Sequence, residues 1–358
     1  MVVPLDWGLG HATRCIPIIR ELLANGCEVL IAAEGAAESL LKHEFQQLIF
    51  IPVRGYRISY SSEKYWLPFK IFAQVPQILM RVYQEHQWVK KSVKKYLITA
   101  IIADNRFGLY HSDLPSVYIT HQLLIKMGSS FAEEIAQKMH YWFIKKYSFC
   151  WVPDFDGPNN IAGELSHPFN RPKNIAYIGG LSRFEKGSAI EKKFDLLFLV
   201  SGPEPQRTIF ESLLLKQLEN FNGKSLLIRG LPGISAVDEN DFETKNDRPN
   251  LTIKNHLAAQ ELNEVIQQSE LVVCRGGYTT IMDLIKLKKK AILIPTPGQT
   301  EQEYLAGHLM QQQIFYSVNQ QGFDLIETLK AAHGFTFTIP SFNMEQYHES
   351  IKQFVQSL

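Results

Sequence analysis

The sequence predicts an α/β protein of two Rossmann-like domains facing across a cleft. Three observations predict it. The chain has 358 residues, more than the roughly 250–300 at which a single hydrophobic core stops growing. Short apolar runs alternate with helical patterns from end to end, the rhythm of parallel strands joined by crossover helices. Each half also opens with a strand, a tight turn and a helix.

Taken in order, "MVVPL" is a first strand that leads into a helix near 12–24. Ile16, Ile19, Leu22 and Leu23 share one face of that helix, and Asn25-Gly26 stops it. "CEVLIAA" is the next strand, and "LITAIIAD" (97–104), "PSVYIT" (115–120) and "SFCWVP" (148–153) follow as buried strands. The back half repeats the rhythm with "DLLFLV" (195–200), "SLLIRG" (225–230), "LTIKNH" (251–256), "ELVVC" (270–274) and "AILIP" (291–295). The seam lies in "IGGLSRFEKGSAIEKKF" (178–194), rich in glycine and charge and poor in apolar residues. The expected organisation is a front domain over 1–180, a linker over 181–194, a back domain over 195–340 and a closing amphipathic helix within 341–358. In open parallel sheets, ligands bind at the carboxyl ends of the strands.

Hydrophobic residues make up 45% and charged residues 20% of the chain, proportions of a globular enzyme rather than a disordered segment. The longest apolar stretch, "LITAIIA" (97–103), is far short of the roughly 20 residues a membrane span needs. With no secretory leader pattern at the start, the expected location is the cytoplasm. The four cysteines form no CxxC pair and read as buried free thiols in a reducing compartment. A net charge of +1 gives no support to nucleic-acid binding. The distribution is uneven, because residues 1–180 carry 19 Lys/Arg against 15 Asp/Glu and residues 181–358 carry 18 against 21. Much of the front excess sits in Lys64, Lys70, Arg81, Lys90, Lys91, Lys94 and Lys95, opposed within 64–95 by Glu85 alone.

The first chemical signal is "LDWGLGHATR", with Gly8 and Gly10 just before His11. Strand, glycine turn, helix, strand and then Glu34 has the outline of a dinucleotide fingerprint. That motif needs a third glycine or alanine so the helix packs closely, and position 13 is Thr13. A tight turn with a capping histidine is a second reading. A third makes His11 the base that deprotonates a sugar hydroxyl, since imidazole accepts a proton near neutral pH without large tuning.

The back half weighs toward the third. "LVVCRGGYTTIMDLIKLKKKAILIPTPGQTEQEYLA" (271–306) is a strand, an Arg-Gly-Gly turn, a helix, a strand, a proline turn and another helix. This stretch resembles the carboxyl-terminal signature of family-28 glycosyltransferases of the GT-B fold, and the front loop resembles their glycine-rich turn ending in histidine. The resemblance implies UDP-sugar as donor substrate, no further cofactor and no metal. It places Arg275, Gly276 and Gly277 at the diphosphate, Asp283 at the ribose, and Gln302 and Glu303 at the sugar. Asp283 stands where the family typically has Glu, Glu303 where it has a second glutamine, and Ala306 where it has Asn. The hexose, GlcNAc among the choices, is therefore left open.

The remaining candidates follow from position. Gly10, Ser201, Gly202, Gln206 and Arg207 follow the first strand of their halves and offer donors to a phosphate. His256 ends a strand where related enzymes grip uracil. Asp104 closes "LITAIIAD" and is the expected partner that fixes the His11 tautomer, with a loop-capping aspartate as the bland alternative and Asp6 as a weaker rival. Arg106 and His121 are expected to touch the acceptor. Thr280-x-x-Asp283 and Thr300-x-x-Glu303 also match capping boxes. "DFD" (154–156) has the outline of a metal motif, but Pro153 and "GPNN" around it read as a turn. The basic, aromatic stretch 64–96, with Trp66, Phe69, Phe72 and Trp88, is either a solvated helix face or a surface that docks on anionic lipid. The implied activity is inverting transfer of a hexose to an acceptor hydroxyl on a lipid-linked or cell-envelope glycan, peripherally at the inner membrane face. The alternatives are a UDP-sugar 2-epimerase, a non-catalytic nucleotide-sugar-binding protein and a nicotinamide enzyme.

Overall fold

The computed structural model describes residues 1–56, 67–127, 129–187, 190–231 and 248–358, with backbone alone for 67–75. Lys64 and Trp66, and the side chains of Phe69, Lys70 and Phe72, therefore lie outside the described residues. The chain divides into a front unit of Met1–Arg183 with Phe342–Leu358, and a back unit of Phe184–Ser341.

The front unit runs β1 (Val2–Val3), α1 (Leu9–Ala24), β2 (Leu30–Ala33), α2 (Gly35–Glu44), β3 (Ile49–Pro52), α3 (Leu67–Tyr96), β4 (Ile101–Asp104), β5 (Ser116–Ile119), α4 (Ser130–Ile144), β6 (Phe149–Val152) and β7 (Ile175–Tyr177). Its sheet is ordered β3-β2-β1-β4-β5-β6-β7 and is parallel at every pairing. Successive side chains of a strand point to opposite faces, so each strand feeds two cores. Val2, Ile31, Ile102 and Val117 pack beneath α1 and α2, while Val3, Ala32, Ile101 and Tyr118 pack on the other face. This two-sided burial explains why the central strands read as continuous apolar runs.

The back unit runs β8 (Phe194–Leu199), α5 (Gln206–Gln217), β9 (Ser225–Ile228), β10 (Leu251–Lys254), α6 (Ala259–Gln268), β11 (Ser269–Cys274), α7 (Tyr278–Lys286), β12 (Ala291–Leu293), α8 (Thr300–Gln311), β13 (Tyr316–Ser317) and α9 (Leu325–His333). Its sheet, β10-β9-β8-β11-β12-β13, is also parallel throughout. The last helix, α10 (Gln346–Gln356), returns to the front unit, where Tyr347, Ile351 and Phe354 enter the core under α1. Burying each such side chain contributes roughly 1.5–3 kcal/mol.

Three strands escaped the sequence reading: β3, β7 and β13. Each lies at the edge of its sheet, where one flank is unpaired and side chains are partly exposed (Ile49 is 64% exposed). β7 and β13 are only three and two residues long, too short to show a run, whereas β3 lies in the apolar run 48–53 that the sequence reading left out. Both sheets reverse strand order at one point, β1/β4 in front and β8/β11 behind. At such a switch point the loops leaving the two strands diverge and open a crevice for a ligand. Among the described residues, no helix is long and apolar enough to cross a membrane.

Candidate active site

In the front unit the turn after β1 meets the end of β4 at the switch point. Gly8 sits at φ +93°, ψ 165° as the residue before α1, a conformation open essentially to glycine alone. It lets the chain reverse into α1 and brings His11 into the first turn. Gly10 lies within that turn and its carbonyl accepts the Thr13 hydroxyl at 2.9 Å. His11 Nδ1 lies 3.2 Å from Asp104 Oδ1, with the carboxylate fully buried and the imidazole 16% exposed. The sequence thus brings together the two residues expected to pair across 93 positions, with the ring edge still reaching solvent.

Arg14, which the sequence reading passed over, lies at the centre of this cluster. Its Nε donates to Asp104 Oδ2 at 2.6 Å and its Nη2 donates to Asp104 Oδ1. Nη2 also lies 2.9 Å from His11 Nδ1, and Nη1 lies 2.9 Å from His121 Nδ1. The signal was available: positions i and i+3 share a helix face, so Arg14 had to accompany His11. Burial pushes the Asp104 carboxyl up, but Arg14 and His11 outweigh it and hold it at about 2. Burial, and then the Arg14 cation, hold His11 below its ordinary value, while Asp104 pulls the other way. Burial and Asp104 push the Cys15 thiol, 3.7 Å from Oδ2, well up.

The other front-unit candidates are engaged by partners of their own. Arg106 is fully buried and spends its guanidinium on Glu85 Oε1 (2.7 Å) and the carbonyls of Arg54 (2.5 Å) and Pro4 (3.4 Å). It binds loops together and, fully buried, presents no surface to an acceptor. His121 is buried beside Arg14, with its Nε2 3.5 Å from the Gln122 amide. Asp6 Oδ1 accepts from the Tyr56 N–H at 3.3 Å, and Glu34 Oε1 from the Gly55 N–H at 2.6 Å, so both serve the 55–56 turn. Asp154 of "DFD" accepts from the backbone of Phe155, Ile161 and Ala162 and from the Ser166 hydroxyl. Those four bonds make it the organiser of a loop. Among the described residues, no three His, Cys, Asp or Glu side chains gather as metal ligands.

The back unit repeats the geometry with different chemistry. Arg275, at the end of β11, is 1% exposed, which removes the reading of it as a surface arginine. Its guanidinium lies 3.9 Å from the Phe210 ring centroid. Nη2 donates to the Gln206 carbonyl at 3.2 Å, and Nη1 donates to the carbonyls of Ile294 (3.2 Å) and Pro295 (3.3 Å). No carboxylate is among these partners, and burial lowers its pKa to about 10, so it stays cationic at neutral pH. Arg275 Nε, Gln206 Oε1 and Thr296 Oγ1 are buried and find no partner among the described residues. An unmet buried polar group costs about 1–3 kcal/mol, so the unmet Nε of the cation and two further such atoms in the segments it holds mark a place shaped for a polar ligand.

The neighbours of Arg275 divide in two. Gly277, the residue before α7, has φ −71°, and a Cβ there would meet nothing within 4 Å. A Cβ on Gly276 would come 3.3 Å from the Gln302 carbonyl, so this glycine serves the packing on α8. Ser201 is exposed and Gly202 adopts φ +111° in the turn after β8. Asp283 is buried in the second turn of α7; Gly277 caps that helix, so Thr280–Asp283 is not its capping box. Gln302 Oε1 accepts from the Thr296 N–H and Glu303 Oε1 from the Gly298 N–H, both at 3.0 Å. Both side chains thus brace the 296–299 turn, with Gln299 rather than Thr300 preceding α8. His256 is exposed just beyond β10. Arg207 is corrected: Glu204 Oε1 and Glu211 Oε2 each hold its guanidinium at 2.5 Å, which leaves it a helix-start brace.

Comparison with known proteins agrees with this architecture. The Glycosyltransferase family 28 C-terminal domain matches residues 209–356. An uncharacterized glycosyltransferase of Methanosarcina mazei is 23% identical over 313 residues, covering 83% of this chain and 79% of the relative. The glycotransferase of kitacinnamycin superposes with a TM-score of 0.62 at 14% identity, covering 99% of this chain and 94% of the other. MurG of Acinetobacter baumannii superposes at 0.57 and 13%, covering 100% and 99%. The spinosyn rhamnosyltransferase SpnG superposes at 0.60 and 16%, covering 99% and 95%. With the family domain in its back half and two such sheets along its length, the chain is a family-28-like glycosyltransferase of the GT-B fold.

Proposed function

We propose that the chain is an inverting, metal-independent hexosyltransferase that takes its sugar from a UDP-sugar. The single observation that carries this reading is the His11–Asp104 pair at the front switch point, with a buried carboxylate behind a partly exposed imidazole. With Nδ1–H donating to Asp104, the Nε2 lone pair takes the proton of an acceptor hydroxyl. The freed oxygen bonds to the anomeric carbon as the bond from that carbon to the diphosphate oxygen breaks, and UDP leaves with the electron pair. Charge grows on the departing diphosphate, and the Arg275 cation with the N–H groups opening α7 is the natural place to stabilise it. The SpnG structures with thymidine diphosphate and with spinosyn aglycone support a nucleotide site and an acceptor site in an architecture of this kind.

The acceptor is a glycan hydroxyl, on a lipid-linked or envelope precursor. Exposed apolar side chains on α4, Phe131 (73%), Ile135, Met139 and Trp142, stand among Lys138, Lys145 and Lys146. That mixture supports peripheral contact with an anionic membrane face. The decisive experiment is calorimetry with UDP, UDP-GlcNAc, UDP-galactose, GDP and NADH on the wild type and on Asp283→Ala. UDP binding that weakens in the variant is expected. NADH binding with indifference to UDP would overturn the reading, and conversion of UDP-GlcNAc without acceptor would make the protein an epimerase instead.

A further inference from the structure

Assigning His11 as the base leaves the residue with the most polar partners in its cluster without a role. We propose that Arg14 is the positioning residue of the front site: it clamps Asp104 by both oxygens, holds His11 unprotonated and fixes His121 as an imidazole that donates from Nε2. The inference rests on the reading of His11 as base.

The argument is one of donors and acceptors. A guanidinium has N–H donors and no acceptor. Arg14 Nη1 lies 2.9 Å from His121 Nδ1, so that nitrogen must bring a lone pair, and the His121 proton sits on Nε2, facing the Gln122 side-chain amide 3.5 Å away, whose oxygen accepts it when the amide is turned. At His11, Nδ1–H and Arg14 Nη2 both point at Asp104 Oδ1, and the guanidinium 2.9 Å from the ring repels the second charge that a proton on Nε2 would bring. Burial and the same cation therefore disfavour the charged form of His11.

An isolated aspartate behind a histidine raises its basicity. Here Arg14 matches that charge through a two-point contact, 3% exposed to solvent. Asp104 is left to orient His11 through the 3.2 Å contact without drawing a proton onto it prematurely. The groups facing His11 are Arg14 from α1, Asp104 from β4 and His121 beyond β5, with Cys15 against the far carboxylate oxygen. Lysine could supply the charge but not the fork, because an ammonium is a point donor.

The test is long-range ¹H–¹⁵N spectroscopy of the full chain with labelled histidine, titrated through the imidazole range. His11→Gln and His121→Gln assign the signals. In the wild type, His121 is expected as the Nε2–H tautomer and His11 to titrate below its ordinary value. Arg14→Met removes the cation and leaves Asp104, so the His11 titration should rise by about one to three units and the His121 tautomer should be released. Arg14→Lys should hold His11 low yet lose the His121 tautomer. An unchanged His11 titration in a folded Arg14→Met variant overturns the proposal. Should that variant not fold, His121 of the wild type decides alone, since a proton on Nδ1 is incompatible with the clamp. Failure of the base reading is separately visible, as turnover that survives His11→Ala.

Discussion

The guanidinium of Arg275 reaches the backbone carbonyl of Gln206, 69 residues earlier in the chain, at 3.2 Å. By that bond the turn after β11 is tied to the first turn of α5, the two loops that diverge at the back switch point. Among the described residues the cation is buried without a carboxylate, an arrangement that costs stability unless a ligand answers the charge. Arg275→Met keeps a stem over Phe210 and removes the charge. Losing a charged hydrogen bond of ~1.5–3 kcal/mol predicts UDP binding about 10- to 100-fold weaker by calorimetry. An unchanged affinity would remove Arg275 from the donor site.

His11 and Asp104 separate catalysis from folding. His11→Ala should lower turnover about 10²- to 10⁴-fold with UDP affinity unchanged, because the imidazole belongs to the front unit and the proposed nucleotide site to the back unit. Asp104→Asn strips Arg14 of its counterion inside the protein, and breaking a buried pair costs about 3–5 kcal/mol. Denaturant unfolding should therefore show Asp104→Asn as a folding mutant and His11→Ala as near neutral.

The same carboxylate predicts an acid limb of stability. Its pKa is lowered from 3.8 to about 2 in the folded chain, so the folded state favours the ionised form. That contribution, about 2 kcal/mol, is present above the unfolded value and is lost as pH falls toward 2. Urea midpoints should drop over that interval in the wild type. A slope there that Asp104→Asn leaves unaltered would assign the loss to other carboxylates.

What the sequence disclosed and what it hid follow from one physical distinction. Strands covered on both faces, such as Ile101–Asp104, announce themselves by composition, and their carboxyl ends then point to Asp104 without further knowledge. Arginines do not announce their partners. Arg14, on a helix, resembles a solvated charge, yet its carboxylate is 90 residues away. Arg106 and Arg207, near strand ends, resemble ligand binders, yet Glu85 and Glu211 hold them. The Arg207 error was avoidable, since Glu211 lies four residues on along the same helix. The Arg106 partner becomes visible only when α3 is folded beside the loop after β4. Glu303 illustrates a third case, where a position is right and the side chain is already engaged by the Gly298 N–H.

On the surface, α3 exposes Leu79, Met80 and Tyr83 together with Lys90, Lys91, Lys94 and Lys95, and α4 adds Phe131 and Trp142. Basic residues near an anionic membrane contribute about 1 kcal/mol each. Co-sedimentation with vesicles should therefore rise with anionic lipid content and collapse when the four lysines become glutamate. Sedimentation indifferent to lipid charge would leave these helices as a solvated face.

Two glycines make opposite forecasts for the same substitution. Gly8 holds φ +93° with open space around its Cβ position, so Gly8→Ala meets no clash and its whole cost is backbone strain, about 1–3 kcal/mol. That strain falls on the turn that carries His11, so stability and turnover should decline together. Gly277 holds φ −71°, which alanine adopts freely, and its Cβ position is equally open. Gly277→Ala should therefore leave the melting temperature within a degree or so of wild type, or raise it slightly by restricting the unfolded chain. If a diphosphate approaches the backbone there, the added methyl displaces it and nucleotide affinity falls while the fold is untouched. Affinity and stability both unchanged would place the diphosphate elsewhere than the turn between β11 and α7.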